Sequence, residues 1–434
     1  MDLLTANDTP GRYPDSYYAA RPGLIGAPRP PAEGEMRADV AVVGGGFTGL
    51  SAALHLARRG YDVALLEASR VGSGASGRNG GQVGTGQRVG QDVLERWLGR
   101  DDALALWAMG REAVRLVRTL ARHPEIAVPF HPGIVQAAHR RSQVREIHAY
   151  ADRLARDYGY EGLRPLTREE IREIVASPVY QGGALDEGAG HLDPLAFALG
   201  LARLAEKAGV RLHETSRVAR IDAGEEIVLS TDRAVLRAPW AVVGCNGYLG
   251  GLLPEVGPYV MPINNFMVAT EPLEPDAQEA LIAGNRAVSD SRFVVNYFRF
   301  SDDHRLLFGG GETYGYRFPE DIAGMVRRPL RKVFPQIADV AIDFAWGGTL
   351  AITRTRMPHF ARPAPNLLSL SGYSGHGVGM ATMAGQIAAE TVAGQAERFD
   401  RMARVPAPRF PGGRALRAPL LALGMAWYAV RDRL

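Results

Sequence analysis

The chain has 434 residues, 46% apolar and 22% charged, which exceeds one ordinary domain and suits a globular protein with a sizeable core. A net charge of +3 from dispersed arginines argues against a nucleic-acid partner. The single cysteine, Cys245, excludes an intrachain disulfide or cysteine-based metal cluster. The two lysines, Lys207 and Lys332, sit in charged helical segments, which argues against pyridoxal chemistry.

The opening M-D-L-L-T-A-N-D-T-P lacks a charged n-region and an apolar h-region, so no signal peptide is expected. No apolar run approaches the ~20 residues that span a bilayer. A reducing, cytoplasmic setting is the expectation. Residues 1–36, rich in Pro, Gly and Tyr, read as an irregular arm over the body and outside any site.

The stretch Asp39 to Gln82 is the most informative. A buried-strand pattern at Val40–Val43 meets Gly44, Gly46 and Gly49, spaced G-x-G-x-x-G. An apolar helix pattern follows, Gly60 ends it, and a second strand pattern covers Val63–Leu66. Glu67 closes the unit, eighteen residues after Gly49. This order is a dinucleotide-binding βαβ fingerprint. Gly44 serves the turn, Gly46 the approach to a pyrophosphate and Gly49 the helix–strand packing. The helix N-terminus offers N–H groups to phosphate. Glu67 accepts from ribose hydroxyls and disfavours a 2′-phosphate.

Next comes R-V-G-S-G-A-S-G-R-N-G-G-Q-V-G-T-G, with seven glycines from Gly72 to Gly86. Such a loop cannot form core but can wrap a phosphate and a flat ring. Here the chain resembles FAD-dependent oxidoreductases of the D-amino-acid oxidase and glycine/sarcosine oxidase type, and G-A-S-G-R-N-G-G-Q is most similar to their gamma-glutamylputrescine oxidoreductase branch. The resemblance implies an α/β fold: a Rossmann-like FAD domain of the glutathione-reductase type, with an interleaved α+β substrate domain built on an antiparallel sheet. It divides the chain into an arm (1–36), an FAD domain (37–90, 191–248 and 354–400), a substrate domain (91–190 and 249–353) and a tail with a helix (401–434).

Residues 87–175 read as mostly helical. V-P-F-H-P-G-I-V-Q-A-A reads as a strand pair around a Pro-Gly turn. Thr167 and Glu170 form a capping box. His123, His131, His139 and His148 lack ligand spacing, and no metal site is expected. Residues 179–190 read as a second strand pair. Asp193 and Pro194 start a helix as N-cap and N1. Residues 250–350 read as strands around one helix, Ile322 to Phe334. Alternation over 293–300 places Phe293, Val295, Tyr297 and Arg299 on one face. Arg299 is either a clamp for a substrate carboxylate or an edge arginine with an acidic partner. A second glycine-rich strand-to-helix turn, G-Y-S-G-H-G-V-G-M, precedes the helix A-T-M-A-G-Q-I-A-A-E-T-V-A. Its N-terminus, by the resemblance, faces the flavin pyrimidine edge. The tail carries an apolar run, Ala418–Val430, too short to span a bilayer; docking on the body is preferred over a membrane surface.

The resemblance implies non-covalent FAD held by Gly44, Gly46, Phe47, Thr48, Gly49, Glu67, Ala68, Gly74, Ala75, Ser76, Arg78, Asn79, Gly80, Gly81, Gln82, Val218, Gly244, Gly372, Gly375, His376, Gly377, Val378 and Gly379. It implies oxidation of a small-molecule amine, with an amino acid or N-methyl amino acid as the alternative, and oxygen or another carrier as electron acceptor. Pocket candidates are Gln82, Tyr297, Arg299, Tyr314, Trp346 and His376, none assigned as a base.

Overall fold

The computed structural model describes residues 2–313 and 315–411. Tyr314 and the apolar run Ala418–Val430 lie outside the described residues. One sheet orders His359–Ala364, Leu367–Ser371, Trp240–Val243, Val40–Val43, Val63–Leu66 and Arg211–His213. All neighbours run parallel except the first pair. Its strands are apolar throughout because both faces are covered. Val40, Val42, Val63 and Leu65 pack with the helices. Ala41, Val43, Ala64 and Leu66 pack with a four-stranded sheet of Gly34–Arg37, Ala234–Ala238, Ile227–Ser230 and Arg220–Asp222.

The helices Phe47–Ala57 and Gly377–Val392 lie against each other. Small residues set how closely they approach. A Cβ at Gly385 would lie 2.4 Å from the Thr48 carbonyl oxygen and 2.6 Å from the Ala52 nitrogen. The helix Arg100–Ala121, assigned from sequence to the substrate domain, buries Leu106, Ala113 and Val117 in this same core.

The second large sheet has nine strands. Its path is Ile342–Ile352, Met261–Pro272, Arg305–Thr313, Tyr297–Phe300, Ala287–Asp290, His131–Ala137, Gly183–His191 and Gln82–Val83, with Leu163–Leu166 also on Gly183–His191. It is mixed rather than purely antiparallel, because Ala287–Asp290 pairs parallel with His131–Ala137. Both expected strand pairs prove to be single strands. The Pro132-Gly133 step is absorbed as a register shift within His131–Ala137, not as a hairpin turn. Gly183–His191 likewise runs through its glycines, paired to neighbours distant in sequence. The strand expected over 293–300 begins only at Tyr297.

Local signals held where the chemistry is local. Thr167 and Glu170 make both capping-box bonds. The Asp193 carboxylate accepts from the Ala196 N–H at 2.9 Å, with Pro194 opening the helix Pro194–Lys207. Residues 1–36 are more than a surface arm. Tyr17 and Tyr18 are buried, and Gly34–Arg37 is a strand of the small sheet.

Gly385→Ala is expected to destabilise the fold by about 1–3 kcal/mol, because overpacking here must push backbone apart; urea unfolding measures it. The buried His55 and His359 have pKa values lowered to about 4, chiefly by desolvation. The unfolded state therefore binds more protons between pH ~4 and the ordinary histidine value near 6.5, so stability falls as pH drops through that window. Urea midpoints across the window should show this slope, and His359→Asn should flatten it.

Candidate functional site

Both glycine-rich turns open into one cavity of about 1520 Å³, larger than the usual ligand pocket of roughly 300–1,000 Å³. The first contributes Gly44, Gly46, Phe47 and Thr48; the second contributes Gly375, His376, Gly377 and Val378. Neither N-cap residue caps its own helix: Gly46 has no side chain, and His376 makes no capping bond. Two positive dipole ends thus meet the same space. The Thr48 hydroxyl and Tyr373 phenol, 2.7 Å apart, tie one turn to the other.

Glu67 lies at the nucleotide end. Its carboxylate accepts from the Gly45 N–H at 2.6 Å and the Ser69 N–H at 2.8 Å. Burial raises its pKa, and those backbone donors oppose the rise. Val218, Gly244 and Cys245 border the same end. Burial, then the Glu67 charge, pushes the Cys245 thiol up to about 12, so it is an inert thiol there.

Ala68, Gly74, Ala75, Ser76, Arg78, Asn79, Gly80 and Gln82 also line the cavity. The Ser76 hydroxyl accepts from the Phe47 N–H at 3.0 Å, which fixes this loop over the helix start. The remaining expected cofactor residues act behind the wall. A Cβ at Gly49 would lie 1.9 Å from the Gly44 carbonyl oxygen. Gly81, Gly372 and Gly379 do not border the cavity; the Gly372 N–H donates to the Asn246 amide oxygen at 2.9 Å.

Of the pocket candidates, Gln82, Tyr297 and His376 border the cavity. The Gln82 amide donates to the Val288 carbonyl at 2.8 Å. The Tyr297 hydroxyl donates to the Asn265 side-chain oxygen at 2.5 Å, and burial raises its pKa strongly. The His376 ring faces the cavity beside Gly84. Desolvation, then Arg88, lowers its pKa to about 4, against the opposing pull of the Gly86 and Gly84 carbonyls. It is neutral near pH 7.

Two candidates are corrected. Arg299 is 4% exposed and does not reach the cavity. Its guanidinium donates to the carbonyls of Gly80 (2.7 Å), Phe300 (3.0 Å) and Leu192 (3.1 Å) and to the Tyr18 hydroxyl (3.3 Å). Neither expected role holds: it clamps backbone rather than substrate, and its partners are carbonyls rather than an acid. Trp346 is also behind the wall, its indole N–H donating to the Arg78 carbonyl at 2.9 Å.

The sequence left out the N-terminal arm. Asp2, Leu3, Leu4, Asp8 and Arg12 border the cavity. Asp8 pairs with the buried Arg78 at 2.9 Å, and the Tyr18 hydroxyl donates to the Asn79 carbonyl at 2.9 Å. It also left out Arg88, Arg356 and Glu312, which border the same cavity. The only local hint was Arg88, two residues beyond the last loop glycine.

The family model described as DAO, FAD dependent oxidoreductase, matches residues 39–391. The chain belongs to this family. It is 42% identical over 401 residues to a probable oxidoreductase OrdL of Rhizobium meliloti, covering 92% of this chain and 93% of that one. It is 41% identical over 420 residues to a gamma-glutamylputrescine oxidoreductase of Escherichia coli, covering 96% and 98%. Among solved structures, glycine oxidase from Geobacillus kaustophilus superposes with TM-score 0.73 at 23% identity, covering 87% of this chain and all of that one. L-proline dehydrogenase from P. horikoshii gives 0.69 at 21%, covering 87% and 98%. These two support the fold. The protein is thus an FAD-dependent oxidoreductase. The cavity fits that cofactor: one glycine-lined cleft is bordered by the Glu67 carboxylate and by both helix N-termini. No described helix is long and apolar enough to cross a membrane, and the described residues hold no cluster suited to a metal ion.

Gly49→Ala is expected to weaken FAD binding about tenfold or more, a change of ~1.4 kcal/mol or greater. Flavin absorbance per protein after gel filtration measures it.

Proposed function

We propose that the protein oxidises an extended primary or secondary amine of the γ-glutamylputrescine kind, taking hydride from the carbon beside nitrogen to give an imine that water hydrolyses to an aldehyde. The extent of the cavity's lining carries this reading. Besides the two glycine-rich turns it includes Thr85, Gln87, Trp107, Ile147, Tyr150 and Leu154. An extended amine can meet more of that lining than glycine or sarcosine can. The relative named gamma-glutamylputrescine oxidoreductase, aligned almost end to end, supports the same choice.

When bound, FAD supplies the two-electron acceptor at flavin N5 for that C–H bond. The chain holds the cofactor without a covalent link in this reading. Cys245 sits at the Glu67 end, and His376 packs its ring beside Gly84. The substrate nitrogen must be unprotonated for its lone pair to push hydride out. The walls favour that form: Arg88 adds positive charge beside His376, and desolvation penalises an ammonium. Tyr297 remains a phenol, its O–H donating a hydrogen bond to the Asn265 side-chain oxygen. No base is required of the protein. Orientation and exclusion of bulk water are its contribution.

A second reading, oxidation of an amino acid or N-methyl amino acid, is favoured by the Arg88 guanidinium on the cavity lining, whose charge suits a carboxylate. Lys207 and Lys332 are both exposed, and no lysine borders the cavity among the described residues. This favours an electron carrier over direct reaction with oxygen.

Anaerobic mixing of the yellow protein with γ-glutamylputrescine should bleach the visible flavin band faster than glycine, sarcosine or proline does at equal concentration. Faster bleaching by any of those three shifts the assignment to the amino-acid reading.

A further inference from the structure

The family match begins at residue 39, yet the chain ahead of it helps to enclose the cavity. Two kinds of contact hold this arm. Residues 13–18 are anchored by aromatic burial. Tyr17 and Tyr18 pack in the hydrophobic core, and the Tyr13 hydroxyl donates to the Val71 carbonyl at 2.8 Å. Residues 2–12 are held by polar contacts instead. The Asn7 side chain donates to the Tyr316 carbonyl at 2.7 Å and accepts from the Phe318 N–H at 2.8 Å. Asp8 pairs with Arg78 at 2.9 Å, Asp2 pairs with Arg217, and the Gly11 N–H donates to the Ser69 hydroxyl at 3.0 Å. Ser69, Arg78 and Arg217 are, or adjoin, residues expected to hold FAD: Ala68, Arg78 and Val218. Tyr316 and Phe318 follow the strand Arg305–Thr313 of the nine-stranded sheet. The neighbours Asn7 and Asp8 thus bridge a cofactor loop and the substrate-side sheet. Leu3 is buried, borders the cavity and joins none of the hydrophobic cores formed by the described residues.

We propose that residues 2–12 are a strap that retains FAD: closed, the segment covers the cofactor, and it lifts off for FAD to enter or leave. The inference concerns cofactor exchange and holds whichever amine is oxidised. The two kinds of anchorage make the motion feasible. Polar contacts and a partly exposed ion pair contribute little each, whereas burying three tyrosines is costly to undo. The strap can therefore open locally, far below the free energy of global unfolding, while residues 13–18 stay in place. A turn closed by the Arg12 N–H on the Thr9 carbonyl at 3.1 Å separates the two parts. Bound FAD adds contacts to the inner side of the segment, where Leu3 and Asp8 border the cavity. It thus binds the closed form better and shifts the population toward it. Opening breaks the Asn7 and Asp8 contacts together, so those contacts set the rate at which FAD escapes.

The test uses the full-length, FAD-loaded protein, with Asn7→Ala and Asp8→Asn as strap variants and Glu33→Gln as control. Glu33 is exposed and outside the cavity lining. FAD release after dilution is followed by the gain in flavin fluorescence. Both strap variants should release FAD about tenfold faster than the parent, and Glu33→Gln should match the parent. Asn7→Ala decides the matter, because Asn7 bonds to Tyr316 and Phe318 and not to the 69–79 loop. Its faster release supports the strap even where Asp8→Asn fails to fold. Faster release from Asp8→Asn alone assigns the effect to the unpaired Arg78 and overturns the strap, as do parent-like rates from both. Trypsin gives a second readout on the parent. Loading with FAD should slow cutting after the exposed Arg12 about tenfold relative to cutting after the exposed Arg404. Cutting at Arg12 that is indifferent to FAD overturns the strap.

Discussion

The close crossing of the helices Phe47–Ala57 and Gly377–Val392 is the constraint on which the site depends. It exists because Gly385 leaves room for the Thr48 carbonyl and Ala52 nitrogen. Both helices follow strands of one sheet, so their N-termini emerge at the same edge. Binding at that edge is the general property of open α/β sheets. Here it is doubled. One chain brings two helix N-termini to a single cavity, and the Thr48–Tyr373 contact ties one turn to the other. Negative charge on a bound dinucleotide, at either end, then meets a preformed positive field.

Elements read from the sequence divide according to the range of the forces that make them. The βαβ unit was legible because strand, turn, helix and acid follow one another, and each signal acts over a few residues. The capping box at Thr167 and the start at Asp193 and Pro194 are legible for the same reason. The strands His131–Ala137 and Gly183–His191 were misread because Pro-Gly and Gly-Gly are turn signals in isolation. Pairing with distant strands overrides them, and a register shift takes up the irregularity. The parallel contact with Ala287–Asp290 had no local mark at all.

The candidate site shows the same division more sharply. Residues expected at the nucleotide lie in glycine-rich turns, where sequence spacing reports backbone geometry. Other residues of the lining, such as Trp107, Arg88 and Arg356, come from separate segments and meet only in three dimensions. Arg299 misled because a charged residue in an apolar strand looks functional. Its four partners are three main-chain carbonyls and a phenol, a set no periodicity can reveal. The arm was undervalued because irregular Pro- and Tyr-rich chain carries no period, although its tyrosines are anchors.

That arm has a thermodynamic corollary. Asp8 and Tyr18 grip Arg78 and Asn79, residues that themselves border the cofactor space. The Gly80 carbonyl, in turn, is held by Arg299, which also donates to Tyr18. The 78–80 loop and the first eighteen residues share these contacts, so ordering either one favours order in the other. The start of the polypeptide is thus part of the wall of a chamber built mostly from residues far along the chain.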